Sequence, residues 1–542
     1  MTVAAEGVPV LDLRLACPAA ACWSVTWIGL EHSRSALTVT ILVAIGLLVS
    51  GVLAGVARGW QPPSRGRWFG MRTWFGTSLV VATAGLAFGT GVALLVRADR
   101  VDAHPLRQLD GGSVAVVLSA TEDPRVSGAN PDLVWVRARV HAADGRTVTP
   151  ADVLVFASSQ SDKWLGLRVG ERVRALVTVR VPDGRGLVVA ALTARGPPTQ
   201  ISEAPGYLRL AETVRSRFRE LCATALGHRK AGLLPGLVVG DTSAGEATVD
   251  EQFRRAGLTH LLAVSGANFA LIVGMAVLLA GVIGGSVRLT VGAGLLATVG
   301  FAVLVQLSPS VIRAAAMGGI GLLAMAASRR RAAMPALAAA VVVALLVWPG
   351  LAVDVGFAMS VAATAALIAV SPRLRDRLVD RGMPRGIADA VAMATVAYLV
   401  TAPLVAAISG QISVTAVIAN LLVAPAVPVA TLLGAAAMLL AAPGVPVLSA
   451  AAAVLVAACA PALWWILTVA RWLGGPWATI PAAPASLLGI GGAVLVVGAV
   501  RHRRTGPHLA RLRRDATAAS APWRQRLPDR ARRLAGRLRR RA

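Results

Sequence analysis

Cysteine, lysine and histidine are all scarce in this chain of 542 residues. Four cysteines cannot build a disulfide scaffold, and Lys163 and Lys230 are the only lysines. The seven histidines stand singly, and no HExxH, CxxC or GxxxxGK[ST] pattern occurs. These absences argue against a zinc hydrolase and against an ATP-driven motor. We therefore expect no catalytic residue, no metal site and no cofactor, and we expect that the protein is not an enzyme.

Acidic residues are also few, and this scarcity leaves a large positive charge. The chain has 27 Asp and Glu against 54 Lys and Arg, for a net charge of +27, and only 15% of its residues are charged. Hydrophobic residues make up 56%, and the mean hydropathy is +0.67. A soluble chain cannot hide that much apolar surface from water, whereas a polytopic membrane protein can. The excess positive charge predicts anionic partners, either membrane lipids or a polyanionic substrate.

The apolar stretches form two blocks, in residues 1–97 and 231–500. Because a helix needs about 20 apolar residues to span a bilayer, they predict a polytopic α-helical membrane protein with about 12 transmembrane helices. The first block contains three stretches, at 15–30, 36–57 and 76–96. The second contains nine, at 258–283, 289–307, 312–328, 333–348, 350–371, 386–409, 414–441, 448–472 and 485–500.

Arginine clusters predict the topology, because basic loops stay on the cytoplasmic side. Clusters lie in the predicted loops 58–72 and 372–385, at Arg329 to Arg331, and in the tail 501–542, which holds fifteen Arg and two Asp. Three spans, an external domain and then nine spans place all four clusters on the same side. We therefore expect a multi-pass protein of the bacterial cytoplasmic membrane with both termini in the cytoplasm. The tail is expected to bind anionic lipid, or alternatively DNA that emerges from the membrane.

The polar segment 98–205 between the two blocks has the pattern of short β-strands. The predicted strands are Ser113–Ala120, Asp132–His141, Asp152–Ala157, Glu171–Val181 and Leu187–Thr193, and Asp-Gly pairs at 110, 144 and 183 are typical of hairpins. Five strands in about a hundred residues suit a small external all-β domain such as an OB-like barrel. Trp135, Phe156 and Trp164 could stack on nucleic-acid bases, but we favour the interpretation that they fill the barrel core.

The segment 206–230 predicts an amphipathic helix. Apolar residues from Tyr207 to Ala225 recur at helical spacing, and Arg209, Arg215 and Arg219 line the other side. Two interpretations stay open: the helix lies on the outer membrane surface, or it packs against the barrel.

A run of specific motifs follows the amphipathic segment. Residues 231–275 contain LLPGLVVGD, from Leu233 to Asp241, and then F-x-x-x-G-L-x-H-L-L-A-x-S-G, from Phe253 to Gly266. This run resembles the signature of the ComEC family of competence proteins, which are membrane channels that pass incoming DNA into bacteria. Many members have His or Asn two residues after that final glycine, and this chain has Asn268.

Three later segments fit the same family. Ser308–Met317 resembles a P-x-x-x-R-A-x-x-M element, Trp348–Thr364 a D-P-x(n)-D-x-G-F-x-L-S-F element, and Ala402–Pro428 a P-L-x(n)-S-x(6)-N-L-x(3)-P element. The second departs from the pattern, because Trp348 replaces its first Asp. Many members also end in a metallo-β-lactamase-like domain that is proposed to degrade the non-transported strand. This chain has none of that domain's metal ligands, so we expect that it lacks the domain.

The resemblance implies a function and a set of partners. It implies a channel that takes up single-stranded DNA across the cytoplasmic membrane during natural transformation, served by an external DNA receptor and by a cytoplasmic motor or single-strand-binding proteins. The alternative is a secondary transporter of a smaller anion, which inverted repeats would favour, and the chain shows no convincing repeat. A third possibility, a membrane enzyme, lacks a catalytic constellation.

The resemblance and the cost of polar groups in lipid together select the candidate residues. Ser265 and Asn268 are three apart and can share a helix face, and His260 could line the same lumen. Arg313 could contact phosphate or pair with Asp354, although capping or pairing is the favoured role of Asp354. Gly266, Gly356 and Pro425 are expected to shape the backbone. The complete set expected on the DNA path or in family motifs is Gly240, Asp241, His260, Ser265, Gly266, Asn268, Arg313, Asp354, Gly356, Ser360, Asn420 and Pro425.

Overall fold

The computed structural model describes residues 14–57, 68–127, 130–158, 162–182, 186–262, 266–305, 309–326 and 333–481. The chain divides into two compact units, one of Met1–Tyr398 with Ser413–Ile480, and the other of Leu399–Ile412 with Pro481–Ala542. The last predicted span, 485–500, and the arginine-rich tail lie outside the described residues. In the second unit the structure describes the C-terminal part of one long helix and the turn that follows it.

Three helices begin the described part of the first unit: α1 (Ala16–Glu31), α2 (Arg34–Ala57) and α3 (Trp68–Asp102). The three predicted N-terminal stretches are therefore helical. Their buried faces share a core with α11 (Ala333–Val347) and α12 (Val355–Ala369). Trp23 of α1 shows the contact, because its Nε1 donates to the carbonyl of Ala352 at 3.0 Å and its ring lies against Phe357. The N-terminal helices thus pack directly on helices of the second block.

The polar segment folds as a β-barrel-like domain. Its strands are β1 (Ser113–Ala120), β2 (Arg125–Val126), β3 (Leu133–Ala143), β4 (Arg146–Ser158), β5 (Arg172–Arg180), β6 (Ala191–Ala194) and β7 (Thr199–Ser202). The sheet order is β1-β3-β4-β6-β5-β7, and a further β1–β5 pairing closes it. Every pairing is antiparallel except β4 with β6. The alternating burial of β1 and β5 places Val114, Val116, Val173 and Val177 inside, as a period of two residues requires.

The strand predictions for this domain are largely confirmed. Each predicted strand overlaps an observed one, although β6 begins at Ala191 rather than Leu187. Asp144 and Gly145 both have positive φ and form the tight β3–β4 hairpin, the conformation that a two-residue hairpin favours. Asp110 and Gly111 instead connect a 3₁₀ turn to β1. The pair at 183 lies outside the described residues.

The core interpretation of the aromatic residues is confirmed only for Trp164, which is buried and donates from Nε1 to the carbonyl of Gly196 at 2.9 Å. It is wrong for Trp135 and Phe156. Val134 and Val136 face the core, so the alternation along β3 directs Trp135 outward, where it pairs across the strands with Phe156. Both are partly exposed on the outer face of the barrel.

The predicted amphipathic segment forms α5 (Gly206–Ala225), and α6 (His228–Val239) begins within its predicted range. Val214, Phe218 and Cys222 bury one face of α5 in the main helical core. The barrel side is also packed, since a Cβ at Gly170 would lie 2.6 Å from Leu208. Of the two interpretations, packing is therefore observed, and it involves the helical core as well as the barrel. Tyr207 and Leu210 stay exposed.

One short helix, α4 (Asp162–Leu165), belongs to the barrel. The remaining helices belong to the second block: α7 (Ala247–Arg255), α8 (Gly266–Val282), α9 (Val287–Leu304), α10 (Pro309–Ala326), α13 (Ser371–Asp380), α14 (Arg385–Ser409), α15 (Ala416–Val423), α16 (Ala426–Ala441), α17 (Pro446–Ala458) and α18 (Ala460–Leu473). Two short strands, β8 (Gln411–Ser413) and β9 (Thr479–Pro481), complete the described elements. The predicted loop 372–385 is thus mostly helix, because α13 occupies its first part.

Five described helices are long and apolar enough to cross a membrane, or seven if two bent pairs each count as one span. The five are Arg34–Ala54, Thr77–Asp102, Val287–Leu304, Arg385–Ser409 and Pro446–Leu473, the last of which consists of α17 and α18 in succession. The bent pairs are α12 with α13, at 42°, and α15 with α16, at 50°. The chain is therefore a helical membrane protein with a β-barrel-like domain, and the number of about 12 spans stays a prediction.

Candidate functional site

The LLPGLVVGD segment forms the second half of α6 and the turn after it, where the chain reverses direction. Helix α6 ends at Gly240, which takes the left-handed conformation with φ of 72° and donates its N–H to the carbonyl of Gly236 at 3.0 Å. The returning chain lies close to the first turn of α6, since a Cβ at Gly232 would lie 2.3 Å from the carbonyl oxygen of Ala244. These glycines therefore permit a tight turn and a close backbone approach.

Asp241 lies buried in this turn and is charge-compensated. Its Oδ1 accepts from the N–H of Ser243 at 3.1 Å and from its hydroxyl at 2.6 Å. Its Oδ2 lies 3.2 Å from Nη1 of Arg219 and 3.6 Å from Nη2 of Arg215. Burial raises the pKa of Asp241, but the Ser243 bonds and the two arginines outweigh it and hold the pKa below its usual value. The carboxylate is thus ionised and neutralised by α5.

Asn268 connects α8 to the end of α6. Its side chain is fully buried, and its Nδ2 donates to the carbonyl of Leu237 at 2.8 Å. Leu237 is in the last turn of α6, where the carbonyls lack partners within the helix. Asn268 therefore caps a helix end, which is a structural contact between two motif segments.

A second junction joins the F-x-x-x-G-L motif to α15. Gly257 has φ of 71°, and a Cβ there would lie 2.5 Å from the Cβ of Ala416. Nδ2 of Asn420 donates to the carbonyls of Gly257, at 3.3 Å, and Ala416, at 2.8 Å. Ser413 adds a bond from its hydroxyl to the carbonyl of Arg255 at 2.7 Å. The candidate set omitted Ser413, although it is the serine of the S-x(6)-N element.

His260 lies on a 3₁₀ turn, Thr259–Leu261, three residues after Gly257, and it is exposed. His260 and Asn268 therefore do not share one continuous helix, because Asn268 belongs to α8, which begins at Gly266. Ser265 lies outside the described residues. Arg313 is in α10, and the structure does not describe its side chain. The alternatives of phosphate contact and pairing with Asp354 stay open for Arg313.

The remaining candidates lie on α12 and at the α15–α16 break. The capping interpretation of Asp354 is confirmed, because its Oδ1 accepts from the N–H of Phe357 at the start of α12. Gly356 is in the first turn of α12, and the carbonyl of Ser360 accepts from the hydroxyl of Thr364. Pro425 precedes α16 where the chain bends. The buried face of α12 belongs to the core of the N-terminal helices, so the α12 candidates are separate from the Asp241 turn and the Gly257 turn. Pro425 instead lies between α15 and α16, whose buried residues share the main helical core with both turns.

The outer face of the barrel is strongly basic next to its aromatic pair. Ser119 of β1 pairs with Arg139 on one side and with Arg172 on the other, and Val117 pairs with Arg174. Arg139 contacts Asp152 at 3.0 Å, whereas Arg172 and Arg174 form no ion pair with the residues that the structure describes. Partial burial, and then the charges of Arg172 and Arg139, lower the pKa of His141.

The guanidinium of Arg125 lies 5.5 Å from the ring centroid of Trp135, beside Phe156. Exposed cations and a cation–aromatic contact therefore share one face of the sheet. Sequence reasoning missed this face because it treated the aromatic residues as core. The alternation of Val134, Trp135 and Val136 is the signal that could have found it.

Residues 237–505 match a family model described as Competence protein. No curated protein and no solved structure gives a match. The matched range contains every candidate residue, from Gly240 to Pro425. Within the described residues, no group of three or more His, Cys, Asp or Glu could hold a metal ion.

Proposed function

This chain belongs to the competence protein family, and we propose that it is a channel that takes up single-stranded DNA across the bacterial cytoplasmic membrane during natural transformation. The observation that carries the proposal is the family match over the segments that contain the Asp241 turn and the contact between the Gly257 turn and α15. Membership supports a role in competence, and the apolar helices support passage through a membrane. We propose further that the chain hydrolyses nothing and that a separate cytoplasmic motor pulls the strand.

The partners of the two carboxylates in the family motifs support this proposal. A path for phosphates should present no uncompensated negative charge, because each phosphate loses water on the way. Asp241 is balanced by Arg219 and Arg215, and Asp354 caps a helix. We propose that His260, exposed beside the Gly257 turn, is a contact residue of the path, and that Asn268 and Asn420 hold its wall together.

The decisive experiment compares uptake with surface binding in a competent host. We expect that deleting the gene abolishes transformation and leaves binding of labelled DNA to the cell surface intact, and that the full chain restores transformation. Normal transformation in the deletion strain would refute the proposed function. Loss of surface binding as well would instead place the protein at an earlier, receptor-like step.

The proposed orientation has its own test. A reporter fused after Gln200 should be external, and reporters fused after Val379 and Arg504 should be cytoplasmic, because basic segments stay inside. Alkaline phosphatase and fluorescent-protein fusions report the two sides with opposite signals. A cytoplasmic signal after Gln200 would show that the barrel is not exposed to incoming DNA.

We also propose that the barrel is an OB-like fold that receives the strand. The closed order β1-β3-β4-β6-β5, with one parallel pair between β4 and β6, supports this assignment. Nucleic-acid-binding barrels of this type use the face of their second and third strands, and here those strands are β3 and β4. This face carries Trp135, Phe156 and Arg139, and stacking and phosphate contact are the two elements of sequence-independent binding.

Arg172 and Arg174 of β5 extend this face across β1, because Ser119 pairs with both Arg139 and Arg172 and Val117 pairs with Arg174. Replacing both arginines with Gln should weaken binding of an oligothymidylate and make it less dependent on salt. Each lost phosphate contact on a single strand lowers the slope of log K against log salt by about 0.7, so the slope should fall by about 1.4. Fluorescence anisotropy of the purified chain in nanodiscs measures it. Arg146→Gln, at the hairpin end of the same barrel, is the matched control, and an equal slope for all three proteins would contradict the assignment of this face.

A further inference from the structure

Arg215 of α5 lies between carboxylates from three parts of the chain. Its Nη1 is 3.9 Å from Oδ2 of Asp123, in the segment that follows β1, and 3.5 Å from Oε2 of Glu212. Its Nη2 is 3.6 Å from Oδ2 of Asp241 in the turn after α6. The side chains of Arg215 and Asp241 are only 9% and 4% exposed. The buried guanidinium of Arg215 therefore contacts both the barrel and the Gly240–Asp241 turn.

The burial of these groups decides how much the contacts matter. Exposed ion pairs contribute little, but removing one partner of a buried pair leaves an uncompensated charge and is strongly destabilising. Arg219 also contacts Asp241, at 3.2 Å, and donates to Glu212 at 2.9 Å, but it does not reach Asp123. Among the described residues, Arg215 is the cation that contacts both Asp123 and Asp241.

The surroundings leave Arg215 room to change partners. A cavity of about 260 Å³ lies beside it, between α5 and the barrel, and Arg168, Glu171, Glu212 and Thr213 contribute to its lining. Nε and Nη1 of Arg215 and Oδ2 of Asp241 make no hydrogen bond with the described residues, because the charge contacts exceed hydrogen-bond lengths or lack the geometry. The contacts of Arg215 with Asp123 and Asp241 therefore depend on charge, at 3.9 and 3.6 Å, so a small displacement of the barrel can shift the guanidinium between the two carboxylates.

We propose that Arg215 is a positioning residue that couples the barrel to the Gly240–Asp241 turn. A shift of Arg215 towards Asp123 weakens its contact with Asp241 and releases the turn. The turn ends α6, whose Leu237 carbonyl is held by Asn268 of α8, so the displacement reaches the helix that follows the family motif. The coupling itself is a property of the fold, and its use to signal that DNA has reached the barrel rests on the proposed function.

Distance measurements between spin labels test the coupling without DNA. The labels are placed at Thr147 on the barrel and at Ala247 at the start of α7, both exposed, in the full chain with Cys17→Ser. We expect Arg215→Met to broaden the distance distribution and Arg215→Lys to restore part of its sharpness, because lysine keeps the charge but loses the planar fork. Arg209→Met is the matched control on the same helix, since Arg209 is exposed and pairs only with Glu203 among the described residues.

An unchanged distribution in folded Arg215→Met would overturn the coupling. If that variant is absent from the membrane, Asp123→Asn decides, because it removes the charge at the barrel end of the network at a half-exposed side chain. Broadening in Asp123→Asn supports the proposal, and a distribution equal to that of the parent chain overturns it. Transformation frequency is measured separately. If the distance distribution broadens but transformation is normal, the coupling is supported and its use in DNA uptake is refuted. If the proposed function is wrong, the result of the distance measurement still stands.

Discussion

Replacing Gly257 with valine should remove most of the protein from the membrane. Gly257 has a positive φ, which a β-branched residue adopts at a cost of about 1–3 kcal/mol. Its Cβ would also lie 2.5 Å from the Cβ of Ala416 and 3.2 Å from its Cα, so α15 must move. That movement breaks the bonds from Asn420 and Ser413 to the same turn. The measurement is the abundance of a fluorescent fusion in the membrane fraction, together with its thermal stability in detergent.

Gly382 provides the matched control for this substitution. It has φ of 91°, but a Cβ there meets nothing within 4 Å. Gly382→Val therefore introduces the backbone strain without the collision, and we expect it to stay abundant. If Gly257→Val is as abundant and as stable as Gly382→Val, the packing of the Gly257 turn on α15 is not essential to the fold.

Local sequence patterns predicted the helices and strands of this protein better than they predicted the contacts between them. Alternation gave the strands because burial on one face of a sheet has a period of two residues. The hairpin at Asp144 and Gly145 was predictable because few residues adopt its backbone conformation. The contacts between motifs were not predictable in this way. Asn420 and Gly257 are 163 residues apart in the chain, and nothing in either segment alone specifies the other as its partner.

In the candidate site, even the contacts of residues that are close in the chain could not be predicted from the sequence. His260 and Asn268 are only eight residues apart in the chain, but His260 lies on a 3₁₀ turn and Asn268 on α8, which begins at Gly266. Gly257 was visible in the sequence, but its left-handed conformation was not. The arginines that compensate Asp241 lie on α5, in the segment that the sequence predicted only as an amphipathic helix, on the membrane surface or against the barrel. Charge balance in a membrane protein therefore has to be judged after packing is known.

His260 and Asn268 should respond in opposite ways to replacement by alanine. Asn268→Ala leaves the Leu237 carbonyl without its side-chain donor in a fully buried site, which costs about 1–3 kcal/mol. We therefore expect lower membrane abundance and a lower melting temperature. His260 is exposed, so His260→Ala should keep both values near those of the parent chain and should lower only transformation.

Thr259→Ala is the matched control, because Thr259 is exposed on the same 3₁₀ turn and should affect neither abundance nor uptake. Abundance, melting temperature and transformation frequency are measured for all three variants in one competent strain. If His260→Ala is abundant and transforms normally, His260 does not contact the DNA path. If Asn268→Ala is as abundant and as stable as the parent chain but transforms poorly, the assignments are reversed: Asn268 then faces the strand, and its bond to Leu237 opens during transport.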